Sequence, residues 1–222
     1  MSCPCKRPAS RPAFTLIELL AVIAVIAVLT AIVTVSVNQA LAYARSSESR
    51  SNLRQIGVYT QLYATENNQK IPYGRWGFDR KYLWLNALYP LAYDEEFPGF
   101  IPSATGENLR GTIFYSPAMV PAEEGEPLRS YGWNNFIYDE DSSAGDADRR
   151  LSLNQVRQPS LHVLAGDTEN ASTITRSSIN FRNSGRAHLL FLDGHIESRP
   201  PEEVPLEPSD PGYNIFWHFN LE

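Results

Sequence analysis

The chain has 222 residues, of which 43% are hydrophobic and 20% are charged, and its formal net charge is −6. These values are those of an ordinary globular protein, so wholesale disorder is excluded. The negative charge argues against a general nucleic-acid-binding protein. The only cysteines, Cys3 and Cys5, lie at the N-terminus, which excludes a disulfide scaffold or a cysteine-ligated zinc site in the body of the chain.

Residues 14–37 form an apolar segment in which Glu18 is the only charged residue. A helix of this length reaches about 36 Å, enough to cross a hydrocarbon core of roughly 30 Å. Three basic residues and no acidic one occur in residues 1–13. The positive-inside rule therefore predicts a cytoplasmic N-terminus and an extracytoplasmic C-terminal part.

Three interpretations of this segment compete. A plain signal anchor needs only the apolar run and its basic flank. A cleavable secretory signal would use Ala42-Tyr43-Ala44, but the apolar run is longer than such signals have and it contains Glu18. In the third interpretation Glu18 is functional, because a carboxylate inside a membrane helix costs about 2.5–3.5 kcal/mol. The alternative for Glu18 alone is that it reaches the lipid headgroups from the first helical turn.

The run from Ala13 to Leu20, AFTLIELL, follows a short basic leader and resembles the processing site of type IV prepilins and type II secretion pseudopilins. The resemblance implies that a membrane peptidase cuts between Ala13 and Phe14 and methylates the new amine of Phe14. It also implies that Glu18 pairs with the terminal amine of a neighbouring subunit during filament assembly. Ala13 stands where the family usually has glycine, and its side chain is still small.

Further along, Leu53, Ile56, Tyr59 and Tyr63 recur at helical spacing, and no proline occurs between Ala13 and Pro72. This pattern predicts one helix from about Phe14 to about Glu66, with a lipid-embedded half at 14–37 and an amphipathic half at 38–68. The expected organisation is thus a cleaved basic leader at 1–13, this two-part helix, and an extracytoplasmic head at 70–222.

Short segments separated by Pro and Gly make up the head, and they predict turns and short strands. One brief helix is expected at about Lys81–Leu88, and Asp193-Gly194 predicts a type I′ hairpin turn. The proline-rich residues 200–211 are expected to hold no regular structure. The strand candidates are Gly111–Ser116, Leu161–Ala165, His188–Leu192 and a last one within Tyr213–Leu221. The second and third are nearly all apolar, which predicts central strands covered by the long helix.

The segment from Phe181 to His195, with SYGWNNF and PSLHVLAGDT before it, resembles the prepilin-associated head domain known for a histidine, nine residues and Asp-Gly. Asp193 and Gly194 match this motif, but Asn183 occupies the histidine position. A metal or acid–base role for that position is therefore in doubt, and the motif is expected to be structural.

The sequence contains no HExxH, GxSxG, glycine-rich phosphate-loop or paired-cysteine motif, so the chain is predicted not to be an enzyme and to need no cofactor. The four histidines are expected to be structural, with His188 and His195 as a conceivable weak metal pair. A dense acidic loop makes calcium the other candidate ion, because hard oxygen ligands suit it. Its weak candidate ligands are Asp139, Asp141, Asp146 and Asp148, although a solvated loop is the simpler interpretation.

The predicted fold class is α+β, with a long N-terminal helix packed on a small, mainly antiparallel sheet, as in pilins. The resemblance implies a structural subunit that assembles through its helix into a pseudopilus of a type II secretion system. The implied partners are copies of itself, other pseudopilins, a prepilin peptidase, an inner-membrane assembly platform and membrane lipid, with no nucleic acid. The implied location is the inner membrane, with extraction into a periplasmic filament. The alternatives are a pilin of a type IV pilus and an exported binding or enzymatic domain.

Overall fold

The computed structural model of the chain describes residues 15–74, 82–97, 109–119, 130–137, 150–169 and 173–218. The chain divides into two compact units, Met1–Leu41 and Ala42–Glu222. The division falls inside one helix, α1, which spans Leu16–Glu66. The predicted end at Glu66 is confirmed, whereas the predicted start at Phe14 lies outside the described residues. The chain leaves the helix through Asn68 and Gln69, which both adopt a positive φ.

In the first unit, α1 is exposed on every side. The large apolar side chains that the structure describes between Leu16 and Val37 are 48–81% exposed, and this stretch is long and apolar enough to cross a membrane. The hydroxyls of Thr30, Thr34 and Ser36 each donate to the backbone oxygen four residues earlier. The polar groups in the apolar stretch are thus satisfied within the helix, which a hydrocarbon environment requires.

The second unit contains a five-stranded mixed sheet. Its strands are β1 (Tyr131–Asn134), β2 (Val163–Asp167), β3 (Thr173–Ile174), β4 (Ala187–Phe191) and β5 (Ile196–Arg199). Their order is β3-β1-β2-β4-β5. Only β1 and β3 are parallel, while the other neighbours pair antiparallel. The predicted α+β fold class is therefore confirmed, and β2 and β4 are interior strands as expected.

Each face of the sheet has its own apolar cluster. On one face, Leu53 and Ile56 of α1 share a cluster with Leu164, Ala165 and Leu190, which confirms the predicted helix stripe. Helix α2 (Trp84–Tyr93) joins this cluster. It contributes Trp84, which stacks on Trp133 with ring centroids 5.7 Å apart.

On the other face, helix α3 (Tyr213–Trp217) covers the sheet. This part of the prediction was wrong, because a strand was expected there. Tyr213, Phe216 and Trp217 are the buried residues, and their spacing is that of one helix face. The turn into α3 is made by Gly212 at a φ of 79°.

Residues 111–116 form turns instead of the predicted strand. Gly111 has a φ of 78°, and the Thr112 hydroxyl accepts a hydrogen bond from the backbone N–H of Phe114. Buried Phe114 packs edge-on against Trp84. The apolar residues of this segment therefore serve as anchors of a turn.

Four smaller expectations also need correction. The strand expected at 161–165 begins at Val163, after a 3₁₀ turn at Pro159–Leu161, and the helix expected at 81–88 is α2. The proline-rich residues 200–211 do contain one 3₁₀ turn, Pro201–Glu203. The hairpin at Asp193-Gly194 exists, but only Gly194 has a positive φ there, so its turn is a three-residue loop and not type I′.

Candidate functional site

The first candidate site is the N-terminal end of α1. Thr15 precedes the helix, and Glu18 lies in its first turn. The Glu18 carboxylate accepts hydrogen bonds from the backbone N–H of Thr15 at 2.9 Å and from its hydroxyl at 2.7 Å. In return, the Thr15 hydroxyl accepts from the backbone N–H of Glu18 at 3.3 Å. This reciprocal arrangement is a capping box, which satisfies backbone donors that a helix start leaves unpaired.

The capping box fixes where the carboxylate lies. Glu18 stays exposed, so its charge faces the surroundings of the helix while its oxygens are held at the helix start. The helix dipole also favours a negative charge at this end. The predicted cleavage residues Ala13 and Phe14 lie outside the described residues, and their roles stay predictions.

The second candidate site is a row of buried polar side chains on neighbouring strands. Tyr131 of β1 and Asp167 of β2 are paired in register, and His188 of β4 donates its backbone N–H to the Asp167 carboxylate at 2.8 Å. These three residues are at most 2% exposed. A buried carboxylate is costly unless hydrogen bonds or an ion pair compensate it.

Two neighbours provide that compensation for Asp167. Asn183 donates its side-chain amide to the same carboxylate oxygen at 2.7 Å, and the Arg182 guanidinium lies 3.9 Å from the other oxygen. Arg182 also donates to the backbone oxygen of Thr168. Burial nevertheless dominates and raises the pKa of Asp167 to about 7.

Asn183 is held in a tight turn of its own. Asn183 and Arg186 exchange two backbone hydrogen bonds across Ser184 and Gly185, which have φ values of 54° and 80°. Two consecutive residues at positive φ define a type I′ turn. The turn type predicted at Asp193-Gly194 therefore occurs at Ser184-Gly185. The structural role of Asn183 stays a prediction, to which this geometry adds a hydrogen-bonded partner.

Helix α1 attaches to the polar row through two serines. Ser46 Oγ lies 2.9 Å from Nε2 of His188, and the Tyr131 hydroxyl donates to the backbone oxygen of Ser49 at 3.2 Å. Burial, and then the charge of Arg50, lowers the pKa of His188 to about 4. Burial, and then the charge of Asp167, raises the pKa of Tyr131. The row is therefore hydrogen-bonded to α1 at both of its ends, Tyr131 and His188.

The Asp193-Gly194 loop also lies against α1. A Cβ on Gly57 would come 3.1 Å from Leu190 Cδ1 and 3.9 Å from Gly194 Cα. One turn further along, Gln61 donates to the backbone oxygen of Leu192 at 3.3 Å. The Asp-Gly motif therefore forms a hairpin loop against which α1 packs closely at Gly57.

His188 and His195, the conceivable metal pair, occupy separate surroundings, whereas His162 is hydrogen-bonded to the backbone of Ile215 and His218. His195 stacks on Phe191 at 4.4 Å and lies 2.5 Å from an Asp193 oxygen, whereas His188 contacts Ser46. In the described part of the chain, no group of three or more His, Cys, Asp or Glu residues has a metal-binding arrangement. The calcium candidates Asp139, Asp141, Asp146 and Asp148 lie outside the described residues, and calcium binding stays a prediction.

Two functional features escaped the sequence reasoning. The Thr15-x-x-Glu18 spacing is the signature of a capping box and would have revealed a second role for Glu18. Asp167 ends an apolar strand, which is a signal of a buried charge, but the neighbours that compensate it lie 15 and 16 positions further along the chain. Their contact with Asp167 could not be read from spacing.

Comparison with known families gives one match. Residues 10–34 match the prokaryotic N-terminal methylation motif. No curated protein and no solved structure matches the chain significantly. The chain therefore carries a prepilin-type methylation motif, followed by a long apolar helix and a small mixed sheet. This combination is consistent with the type IV prepilin and pseudopilin family.

Proposed function

We propose that the chain is a pseudopilin-like subunit of a type II protein secretion system. A prepilin peptidase cuts it between Ala13 and Phe14, methylates the new amine of Phe14, and leaves a subunit that joins a filament through α1. The observation that carries this proposal is the methylation motif at residues 10–34. The exposed apolar surface of α1 supports it, because that surface needs lipid or other helices to cover it.

In this proposal Glu18 acts on a charge that only cleavage creates. The ammonium of Phe14 would lie at membrane depth, as would the carboxylate of Glu18 in each subunit. Two charges that pair in a low dielectric cost far less than either charge alone. The bond that Glu18 makes to Thr15 in the single chain uses one carboxylate oxygen and leaves the other for a neighbour's ammonium.

The subunit is expected to span the inner membrane before assembly. The basic residues of the leader keep the N-terminus in the cytoplasm, and the head is extracytoplasmic. Assembly then extracts α1 from lipid into the filament, where apolar helices cover one another. Other pseudopilins and an inner-membrane assembly platform are the expected partners in that step.

The substitution Glu18→Gln tests the charge pairing directly. Glutamine at this position of a capping box still accepts a hydrogen bond, so the start of the helix is preserved while the charge is lost. We expect cleavage at Phe14 to be unchanged and filament recovery to fall at least about tenfold, because the charge pair between subunits is lost. A tenfold fall corresponds to about 1.4 kcal/mol of lost assembly free energy. The measurement is the amount of processed chain in the membrane and in filaments sheared from the cells.

The matched control is Thr15→Val, which removes the hydroxyl of the capping box and keeps the carboxylate. This variant should assemble much closer to the unaltered level than Glu18→Gln does. Normal assembly by Glu18→Gln would show that the carboxylate charge has no role. The choice between secretion and a surface pilus rests on deleting the chain from its host: loss of protein export supports the proposal, and loss of surface fibres alone contradicts it.

A further inference from the structure

The exposed face of α1 in the second unit carries an unusual combination of residues. Arg50, Arg54, Val58 and Leu62 follow one another at intervals of four, which places them along one side of the helix. Both arginines are exposed, and Val58 and Leu62 are 62% and 43% exposed. We call these four residues the α1 ridge.

The two arginines of the ridge have no partner in the described part of their own chain. No hydrogen bond or ion pair joins either guanidinium to a residue in the described ranges. They also stand in a chain with the opposite charge, since residues 55–222 contain 23 acidic and 13 basic side chains. An acidic surface would therefore complement the ridge.

In the described part of the chain, an acidic surface that meets this requirement follows α2. Asp94, Glu95 and Glu96 are consecutive, and all three are exposed. Asp94 ends the helix at a φ of 55°, so the chain turns at the start of this acidic triplet. Their carboxylates likewise make no ion pair within the described residues, whereas Glu203 and Glu207 lie 3.9 Å from Arg186 and Arg176.

We propose that the α1 ridge of one subunit docks on the acidic triplet Asp94–Glu96 of a second copy of this chain. The proposal rests on the filament function proposed above and names its contact between heads. The two patches differ and complement each other, so the contact is head-to-tail, and repeated head-to-tail contacts that do not close into a ring generate an open helical filament. Val58 and Leu62 supply apolar area beside the charges, which excludes water and strengthens the pairing.

Charge reversal tests this contact in the full chain. R50E/R54E and D94K/E95K/E96K should each lower filament recovery about tenfold, because each puts like charges face to face. Combining the two sets restores opposite charges, and recovery should return to within about threefold of the unaltered chain. R157E and E202K are matched controls at exposed positions outside both patches, and they should assemble normally.

Disulfide cross-linking is a second test that does not depend on reversed charges. The proposed cleavage removes Cys3 and Cys5, and the rest of the chain has no cysteine. Filaments of R54C/E95C should therefore form disulfide-linked ladders on mild oxidation, while R54C alone, E95C alone and R54C/E202C should remain monomeric. Ladders would support a contact between copies at these two positions.

The outcomes separate this inference from the function on which it rests. If the unaltered chain forms no filaments, the proposed function fails and the contact fails with it. If filaments form but R50E/R54E assembles normally, only the contact is overturned. The contact is also overturned if the variant that combines R50E/R54E with D94K/E95K/E96K assembles as poorly as each set alone at equal membrane levels. It is likewise overturned if R54C/E95C filaments give no ladder although each of the two cysteines reacts with a maleimide.

Discussion

Asp167 and His188 are neighbours in the buried polar row, and they titrate in opposite senses. Burial raises the pKa of Asp167 to about 7, so the folded chain holds this proton more tightly than the unfolded chain. Its contribution to stability is complete below the ordinary pKa of an aspartate and is lost as pH rises to about 7. Burial lowers the pKa of His188 to about 4. Its contribution is complete above the ordinary pKa of a histidine and is lost as pH falls towards 4.

The pH dependences of stability due to Asp167 and His188 oppose each other over nearly the same pH range, so each should become measurable when the other residue is substituted. Asp167→Asn leaves the histidine effect, and the free energy of unfolding should rise between pH 4 and 6.5. His188→Gln leaves the aspartate effect, and the free energy of unfolding of this variant should fall between pH 4 and 7. Each change should be at least about 1 kcal/mol, the value of roughly one pKa unit. Thermal unfolding of the full chain in detergent measures both, and identical pH profiles for the two variants would contradict the assignment.

At the residue scale, the sequence indicated which residues are important better than it indicated which residues they contact. Glu18 stood out because a charge in an apolar run is costly, whereas its bond to Thr15 was missed although the spacing of the two residues is that of a capping box. Asn183 was expected to be structural because it replaces a histidine. Its partner Asp167 lies on another strand, and such contacts depend on how strands pair.

At the scale of elements, the contact between α1 and the Asp193-Gly194 loop depends on Gly57. A glycine inside a helix costs about 1 kcal/mol relative to alanine, so its presence needs a reason. Leu190 provides one, because a Cβ at this position would lie 3.1 Å from its Cδ1. The helix therefore lies closer to the hairpin than a larger residue would allow.

Substitutions at Gly57 should separate the helix-propensity cost of glycine from the benefit of the close approach to Leu190. Gly57→Ala gains helix propensity and crowds only the end of a flexible leucine, so its stability should stay within about 0.5 kcal/mol of the unaltered chain. Gly57→Leu should cost about 1–3 kcal/mol, because the added atoms overpack the interface with Leu190. Val58→Leu, on the exposed ridge, is the control and should change little. Equal stability of Gly57→Leu and Val58→Leu in urea unfolding would show that the close approach is unimportant.

The elements themselves were predictable where a long pattern was present. The stripe Leu53, Ile56 and Tyr63 defined α1 and its buried face, because many positions repeat the same period. Short segments were ambiguous. Phe114 anchors a turn and Phe216 lies in α3, although both were expected in strands, because four or five apolar residues fit a strand, a turn or one helical turn equally well.

At the scale of the whole molecule, the surfaces that remain uncovered point to assembly. The apolar part of α1 is exposed in the first unit, and the α1 ridge and the acidic triplet are exposed in the second. The first surface calls for lipid or other helices, and the last two complement each other in charge. The sequence showed the apolar surface at once and placed Arg50 and Arg54 off the buried stripe of α1, but only the structure shows that neither arginine pairs with a residue in the described ranges.

The central claim is that cleavage between Ala13 and Phe14 creates the amine with which Glu18 pairs. Determining the N-terminal sequence and intact mass of the chain purified from the membranes of its native host tests this claim most directly. The account predicts a chain that begins at Phe14 and carries one N-methyl group. A chain that begins at Met1, or one released after Ala44 that begins at Arg45, would contradict it.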